Sequence, residues 1–297
     1  MFEKHQSVGG RVSTRREAGF VWDTGATSIA PRGKLIERVL LDELDQTGLL
    51  KIEKPIYLHE GLRVKPGFSS GTARYVHEGG IDVFASRMAD GMDVRLGVSV
   101  DSIEKSGETY RILDEEFDAL ILSAPAPQSS LLLWNLGESR PFANVRYRSC
   151  LSVLLGYQSE LPATRYHALL DVEQIHPLTW LSLESVKSPG RAPEGATAMV
   201  AQLSAAFSFA HFETDDAIIL ETVARFIERL YGTSFAVPAY SSVVRWKYSQ
   251  PESFASFERV NRRGSKLLVA SDGLLGGHVE DAFDIGTRTA QLLVEED

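Results

Sequence analysis

The stretch that most constrains this chain lies near its C-terminus, Leu267 to Ala290, LLVASDGLLGGHVEDAFDIGTRTA. The apolar run Leu267–Ala270, closed by Ser271-Asp272-Gly273, predicts a short buried strand. Gly276 and Gly277 follow, and glycines permit close backbone approach and positive φ. Val279, Ala282, Phe283, Gly286 and Ala290 then recur at helical spacing, which predicts a helix with one packed face. A carboxylate at a strand end, followed by glycines and a helix N-terminus, can receive a polar cofactor. The carboxylate accepts from sugar hydroxyls, and the first-turn amides face electron-rich oxygens. The same residues equally suit an ordinary strand–turn–helix with no ligand.

Composition narrows the classes. A chain of 297 residues, 43% hydrophobic, can bury a sizeable core and has room for about two domains. The net charge of −9 argues against nucleic acid, or an anionic membrane surface, as a partner. One cysteine, Cys150, excludes an internal disulfide and a cysteine-based metal cluster, and a cytoplasmic setting is expected. Cys150 stands in an apolar strand-like run and reads as a structural thiol. No apolar run reaches the ~20 residues of a membrane span. The histidines show no metal-ligand spacing, so no metal is expected. His278 could tune a cofactor site or be an exposed loop histidine.

Along the chain, Phe20-Val21-Trp22 is a strand signal within a hairpin spanning Gly19–Ile29. Residues 31–47 carry Leu35, Ile36, Val39, Leu40 and Leu44 on one face, a helix ending at Gly48. Residues 52–75 read as short strands, 81–91 as a second helix, and 93–96 and 98–103 as strands. Residues 215–231 form the strongest helix, with Ile218, Ile219, Val223, Phe226, Ile227 and Leu230 as its stripe. Arg15 and Arg16 extend a positive patch or belong to a solvated loop.

Glu3 and Gly9-Gly10-Arg11 near the start, FVWDTGATSI after them, and the SDGLLGGHVEDAFDIG stretch at the end occur in an order that resembles the flavin amine oxidases, in particular their renalase-like branch. The resemblance covers essentially the whole chain. It implies an α/β fold: a Rossmann-type FAD-binding domain, with an inserted substrate domain of antiparallel sheet plus helices. The FAD-binding domain would comprise 1–30, 76–130 and 256–297, and the substrate domain 31–75 and 131–255. Glu3 would bond ribose hydroxyls, Arg11 would face phosphate, and Gly9 and Gly10 would let the backbone approach. Gly25 and Ala26 would lie beside the flavin ring. Val100 would hold the adenine edge, and Asp272, Gly277, Val279, Glu280 and Ala282 would complete the FAD site. Arg245-Trp246-Lys247-Tyr248 resembles the R-W-x-Y stretch of the renalase-like branch, which makes Arg245, Trp246 and Tyr248 the candidate catalytic residues; a packed strand with a core tryptophan fits the same letters.

The implied activity is hydride transfer from a small-molecule substrate to FAD, with reoxidation by oxygen. The family's opening strand and G-x-G-x-x-G loop have no counterpart before Phe2, a gap of roughly 30 residues. A non-catalytic remnant is therefore an alternative. So is one subunit of a split flavoprotein, whose partner is a short chain carrying the first βα unit.

Overall fold

A computed structural model describes residues 1–67 and 71–294. The chain forms two units, each built from separated segments: Met1–Val8, Gly91–Arg148 and Tyr248–Asp297 in the first, Gly9–Asp90 and Ser149–Lys247 in the second.

The first unit holds two parallel strand pairs. Phe2–Glu3 runs alongside Arg95–Leu96, and Leu120–Leu122 alongside Leu267–Val269. An antiparallel three-stranded piece, Glu104–Ser106, Thr109–Ile112 and Glu115–Phe117, lies between them in sequence. Two helices, Ala126–Asn135 and Val279–Val294, each follow a strand of the second parallel pair. Their inward side chains, among them Leu133 and Ile285, close one core with Leu122, Leu267 and Val269.

The first of these helices starts at Ala126, directly after the Leu120–Leu122 strand and Ser123–Pro125. Pro125 is its N-cap residue and Pro127 sits in its first turn, where the missing N–H is not needed by the ladder. The proposed domain boundary at 130/131 falls inside it. Residues 98–103 form no strand; Val98 N–H instead donates to Glu3 C=O at 2.9 Å, prolonging the first parallel pair.

In the C-terminal helix the buried residues are Val279, Glu280, Ile285 and Thr289, whereas Ala282 and Ala290 are exposed. The packed face thus lies beside the one that apolar spacing picks out, because Thr289 Oγ1 satisfies itself on Ile285 C=O at 2.7 Å and can be buried.

The second unit is dominated by a seven-stranded sheet, two of whose strands extend into residues 147–148 and 248–251 of the first unit. Its order is Tyr240–Pro251, Tyr147–Tyr157, Thr197–Leu203, Leu178–Leu183, Ala168–Leu170, Ile56–Glu60 and Arg63–Pro66. Leu151, Val153, Leu155 and Tyr157 point to one face and Leu154 to the other, and both faces are covered. Burial on two sides explains why Leu151–Tyr157 reads as unbroken apolar sequence.

Helix Asp216–Tyr231 covers the first face with Ile219, Val223, Phe226 and Ile227. Asp215 caps it by accepting from Ala217 N–H at 2.8 Å, and Gly232, at φ 98°, ends it. Ile218, assigned to the stripe by spacing, is exposed.

The hairpin forms upstream of its expected place: Phe20–Asp23 pairs with Thr14–Glu17, not with the residues after Gly25. Arg16 therefore stands on a strand and pairs with Asp82 at 2.6 Å rather than on a solvated loop. The helix expected over 31–47 covers only Lys34–Glu43, its last turn π-like, because the Gln46 amide donates to Leu40 C=O and Leu44 C=O and terminates it early. The 52–75 region contains the predicted short strands, apart from residues 68–70, which lie outside the described residues. Cys150 is partly buried on the Tyr147–Tyr157 strand, its thiol directed at Leu203 C=O.

Two buried histidines of this unit set an acid limit on it. Burial holds His77 down to about 4, helped by the charges of Arg87 and Arg191, and burial also holds His167 at about 4. An unfolded histidine titrates near 6.5, so the folded chain binds fewer protons between those values. Their contribution to stability is complete above about 6.5 and is lost as pH falls toward 4. Melting temperature is expected to decline across that window, and His77→Gln with His167→Gln should flatten the decline.

Candidate functional site

In the first unit the site-forming stretch starts where Leu267–Val269 ends. Ser271 caps a short 3₁₀ turn, Asp272–Leu274, by accepting from Gly273 N–H. Asp272 is 6% exposed, and its Oδ1 accepts the Tyr147 hydroxyl at 2.5 Å. The same phenol oxygen accepts Ala126 N–H at 3.1 Å. Burial, then the bond to Asp272, pushes the Tyr147 phenol up to about 12. Tyr147 remains a neutral donor, and the carboxylate is fixed at the carboxyl end of a parallel strand.

Gly276 and Gly277 do not use positive φ. A Cβ on Gly276 would lie 2.3 Å from the Asp281 carboxylate, and one on Gly277 would lie 3.0 Å from Pro251. They are glycines for lack of room. Asp281 occupies the space over Gly276 because it accepts His278 N–H at 2.9 Å and pairs with the His278 ring at 3.0 Å, one arm of a capping box. His278 is thus an exposed cap residue. Val279 and the buried Glu280 follow in the first turn, whose amides have no acceptor within the helix.

Glu3 ends its strand with its carboxylate accepting His5 N–H at 2.8 Å. Val100, two residues beyond the backbone bond to Glu3, is half-buried against the core. Tyr248 meets the edge of Tyr147, ring centroids 5.7 Å apart.

In the second unit Arg11, Gly25, Ala26 and Trp246 come together. Ala26 N–H donates to Arg11 C=O at 2.9 Å, and a Cβ on Gly25 would sit 2.2 Å from the same oxygen. The Trp246 indole N–H donates to Thr24 C=O at 2.9 Å. Gln202, which belongs to none of the motifs, donates to Gly25 C=O at 2.6 Å. Gly9 closes the turn beside them, its C=O accepting Val12 N–H at 2.9 Å, with Gly10 at φ 55° next to it. Gly25→Ala should clash with backbone, not with a movable side chain, and is expected to cost about 1–3 kcal/mol, read as a lower urea midpoint at unchanged m-value.

Arg245 does not join this group. Its guanidinium donates to Phe212 C=O at 2.8 Å and Thr214 C=O at 2.7 Å and pairs with Asp216, so its donors hold the loop before the long helix.

Beneath Thr24 lies a feature that sequence reading missed. Asp23, Glu184, Lys187 and Arg191 are fully buried and mutually paired, with all four N···O distances between 2.7 and 2.8 Å. Two cations offset two anions. Burial raises the Asp23 pKa, but the Lys187 and Arg191 charges more than offset it and hold the carboxyl below its usual range. Lys187 also donates to Thr27 C=O at 2.9 Å, and Asp23 accepts Ile81 N–H at 2.8 Å. These ties clamp both ends of the Thr24–Ala26 segment.

The first unit thus presents a strand–Asp–glycine–helix turn beside parallel strands, an arrangement that dinucleotide-binding folds share. The model of the family "flavin containing amine oxidoreductase" matches residues 1–67 and 60–294, and the chain belongs to that family. FAD is its cofactor.

Among solved structures, a putative protoporphyrinogen oxidase from Exiguobacterium sp. 255-15 is similar with a TM-score of 0.77 at 14% identity, over 99% of this chain and 92% of that one. A putrescine oxidase triple mutant gives 0.73 at 14% identity over 100% and 93%. A reduced UDP-galactopyranose mutase gives 0.66 at 12% identity over 84% and 78%. At these identities the likeness is one of fold. Among the described residues, no cluster of three or more metal-ligating side chains occurs, and no helix is long and apolar enough to cross a membrane.

Proposed function

We propose that this protein is an FAD-dependent oxidoreductase of amine-oxidase or renalase-like type, taking a hydride from a small-molecule substrate and reoxidised by oxygen. The observation that carries this reading is the buried Asp272 carboxylate, fixed at the end of a parallel strand and followed by a capped helix N-terminus. That donor and acceptor set suits FAD: a carboxylate for its hydroxyls, and amides for its oxygens. Bound, the flavin supplies the two-electron acceptor.

The chain's own residues do the rest. Asp272, with the first turn of the last helix, binds and orients the cofactor in the first unit. Taken by itself, the second unit has in Arg11 a cation of the kind that suits phosphate, and in Gly25 and Ala26 side chains small enough to lie beside a flat ring. Trp246, its indole fixed on Thr24 C=O, offers an aromatic face to a flat or cationic substrate. Tyr248, held edge-on by Tyr147, offers a second ring. An amine, a dihydronicotinamide isomer and a polyene all fit such aromatic recognition. Putrescine is a fitting first probe, since one similar structure is a putrescine oxidase with putrescine bound.

The test is anaerobic mixing of the FAD-loaded protein with each class. Loss of the oxidised flavin band with one class, and its return with peroxide on admitting air, supports the reading. Flavin that dithionite reduces but no substrate class does would overturn it.

The G-x-G-x-x-G loop stays part of the proposal as a partner element. Among the described residues, the parallel strands of the first unit form two separate pairs, so each pair has edges able to accept another strand. A segment with a strand and that loop, joined ahead of Met1 or added as a second chain, is expected to tighten FAD binding. Equal affinity with and without it would remove this partner.

A further inference from the structure

Resting on the flavin reading above, we infer that Tyr147 is the positioning residue of the cofactor site, holding the Asp272 carboxylate in the orientation that receives FAD. A phenol has one O–H to donate and two lone pairs. Tyr147 gives its proton to Asp272 Oδ1 at 2.5 Å, a charge-assisted bond of the short kind. It accepts Ala126 N–H at 3.1 Å, in the first turn of a helix whose N-cap residue, Pro125, has no side-chain acceptor to offer. The Ser271 hydroxyl approaches the same phenol at 3.4 Å and Asp272 Oδ1 at 3.3 Å. One oxygen therefore ties the end of the Leu267–Val269 strand to the start of the Ala126–Asn135 helix.

The packing around it leaves little freedom. A Cβ on Gly273 would meet Val145 at 2.9 Å and the Tyr147 hydroxyl at 3.1 Å, so a larger residue there would push against both side chains. The ring's edge contact with Tyr248 extends the arrangement to a candidate substrate-facing residue. Because the phenol stays protonated across the neutral range, the donor is always present. With Oδ1 held, the plane of the carboxylate is set before the cofactor arrives, and its orientation entropy is already lost.

The experiment uses the full chain and three variants, Tyr147→Phe, Asp272→Ala and the double change. FAD is titrated by fluorescence quenching, and the melting temperature of the flavin-free protein is recorded for each. Tyr147→Phe is expected to raise the FAD Kd about tenfold, as for loss of one charge-assisted hydrogen bond. In the Asp272→Ala background the same change should add nothing, since no carboxylate remains to position.

A Tyr147→Phe protein with lowered melting temperature and unchanged Kd would make the residue merely structural and overturn the inference. So would equal, additive losses in both backgrounds. An unaltered chain that takes up no FAD at any concentration, alone or with the strand-and-loop segment supplied, would overturn the flavin reading itself, and the inference with it.

Discussion

Replacing Lys187 with methionine is expected to cost about 3–5 kcal/mol of stability, the usual loss when one partner is removed from a buried ion pair. The substitution keeps most of the volume but leaves the buried carboxylates of Asp23 and Glu184 facing the single guanidinium of Arg191. Both carboxylates are fully buried, so bulk solvent does not reach them to replace the lost ammonium. Tryptophan fluorescence reads the effect, since Trp22, Trp180 and Trp246 all belong to this unit. The urea midpoint should fall sharply with the m-value unchanged. Lys65→Met, which breaks an exposed pair with Glu60, is the control and should move the midpoint little. A Lys187→Met protein as stable as the parent would show that the four charges are not a single interlocked set. The functional consequence follows from position. Lys187 and Asp23 flank the Thr24–Ala26 segment, so a folded variant should also displace Gly25 and Ala26.

Asp272→Ala is expected to weaken FAD binding about 10- to 100-fold, the range for losing one hydrogen bond to a charged group of about 1.5–3 kcal/mol. The change also leaves the Tyr147 hydroxyl, and through it the Ala126 amide, without part of its network. Asp272→Asn separates the two effects. It keeps an acceptor of the same shape and removes the charge, so its Kd should lie between those of the parent and the alanine variant. Isothermal titration with FAD decides the matter. If all three proteins bind FAD alike, Asp272 is a packing residue and the cofactor is held elsewhere.

How much of this was legible in the letters differs by element. The Asp216–Tyr231 helix was readable to its ends, because a capping aspartate, an apolar stripe and a terminal glycine are all local. The strand–Asp–glycine–helix stretch was readable for the same reason, and the family likeness rested on it. Of the two reasons for glycine at 276 and 277, close approach applies and positive φ does not. What demands them is the Asp281 carboxylate and Pro251, the latter 25 or more residues away in sequence. Arg245 stands next to Trp246 in the same motif, yet its guanidinium faces Phe212, Thr214 and Asp216.

By itself the sequence determined the local elements with complete signals, the order of the cofactor motifs, and through them the family. It did so because caps, turns and periodic stripes act over a few residues, and the motifs keep their spacing. Only the tertiary structure decided which charges are buried together and which acceptor fixes which donor. Asp23 lies more than 160 residues from Glu184, Lys187 and Arg191, and Tyr147 lies 125 from Asp272. No spacing rule links residues so far apart. Their pairing exists because a buried charge or hydroxyl must find a partner wherever the fold brings one within reach.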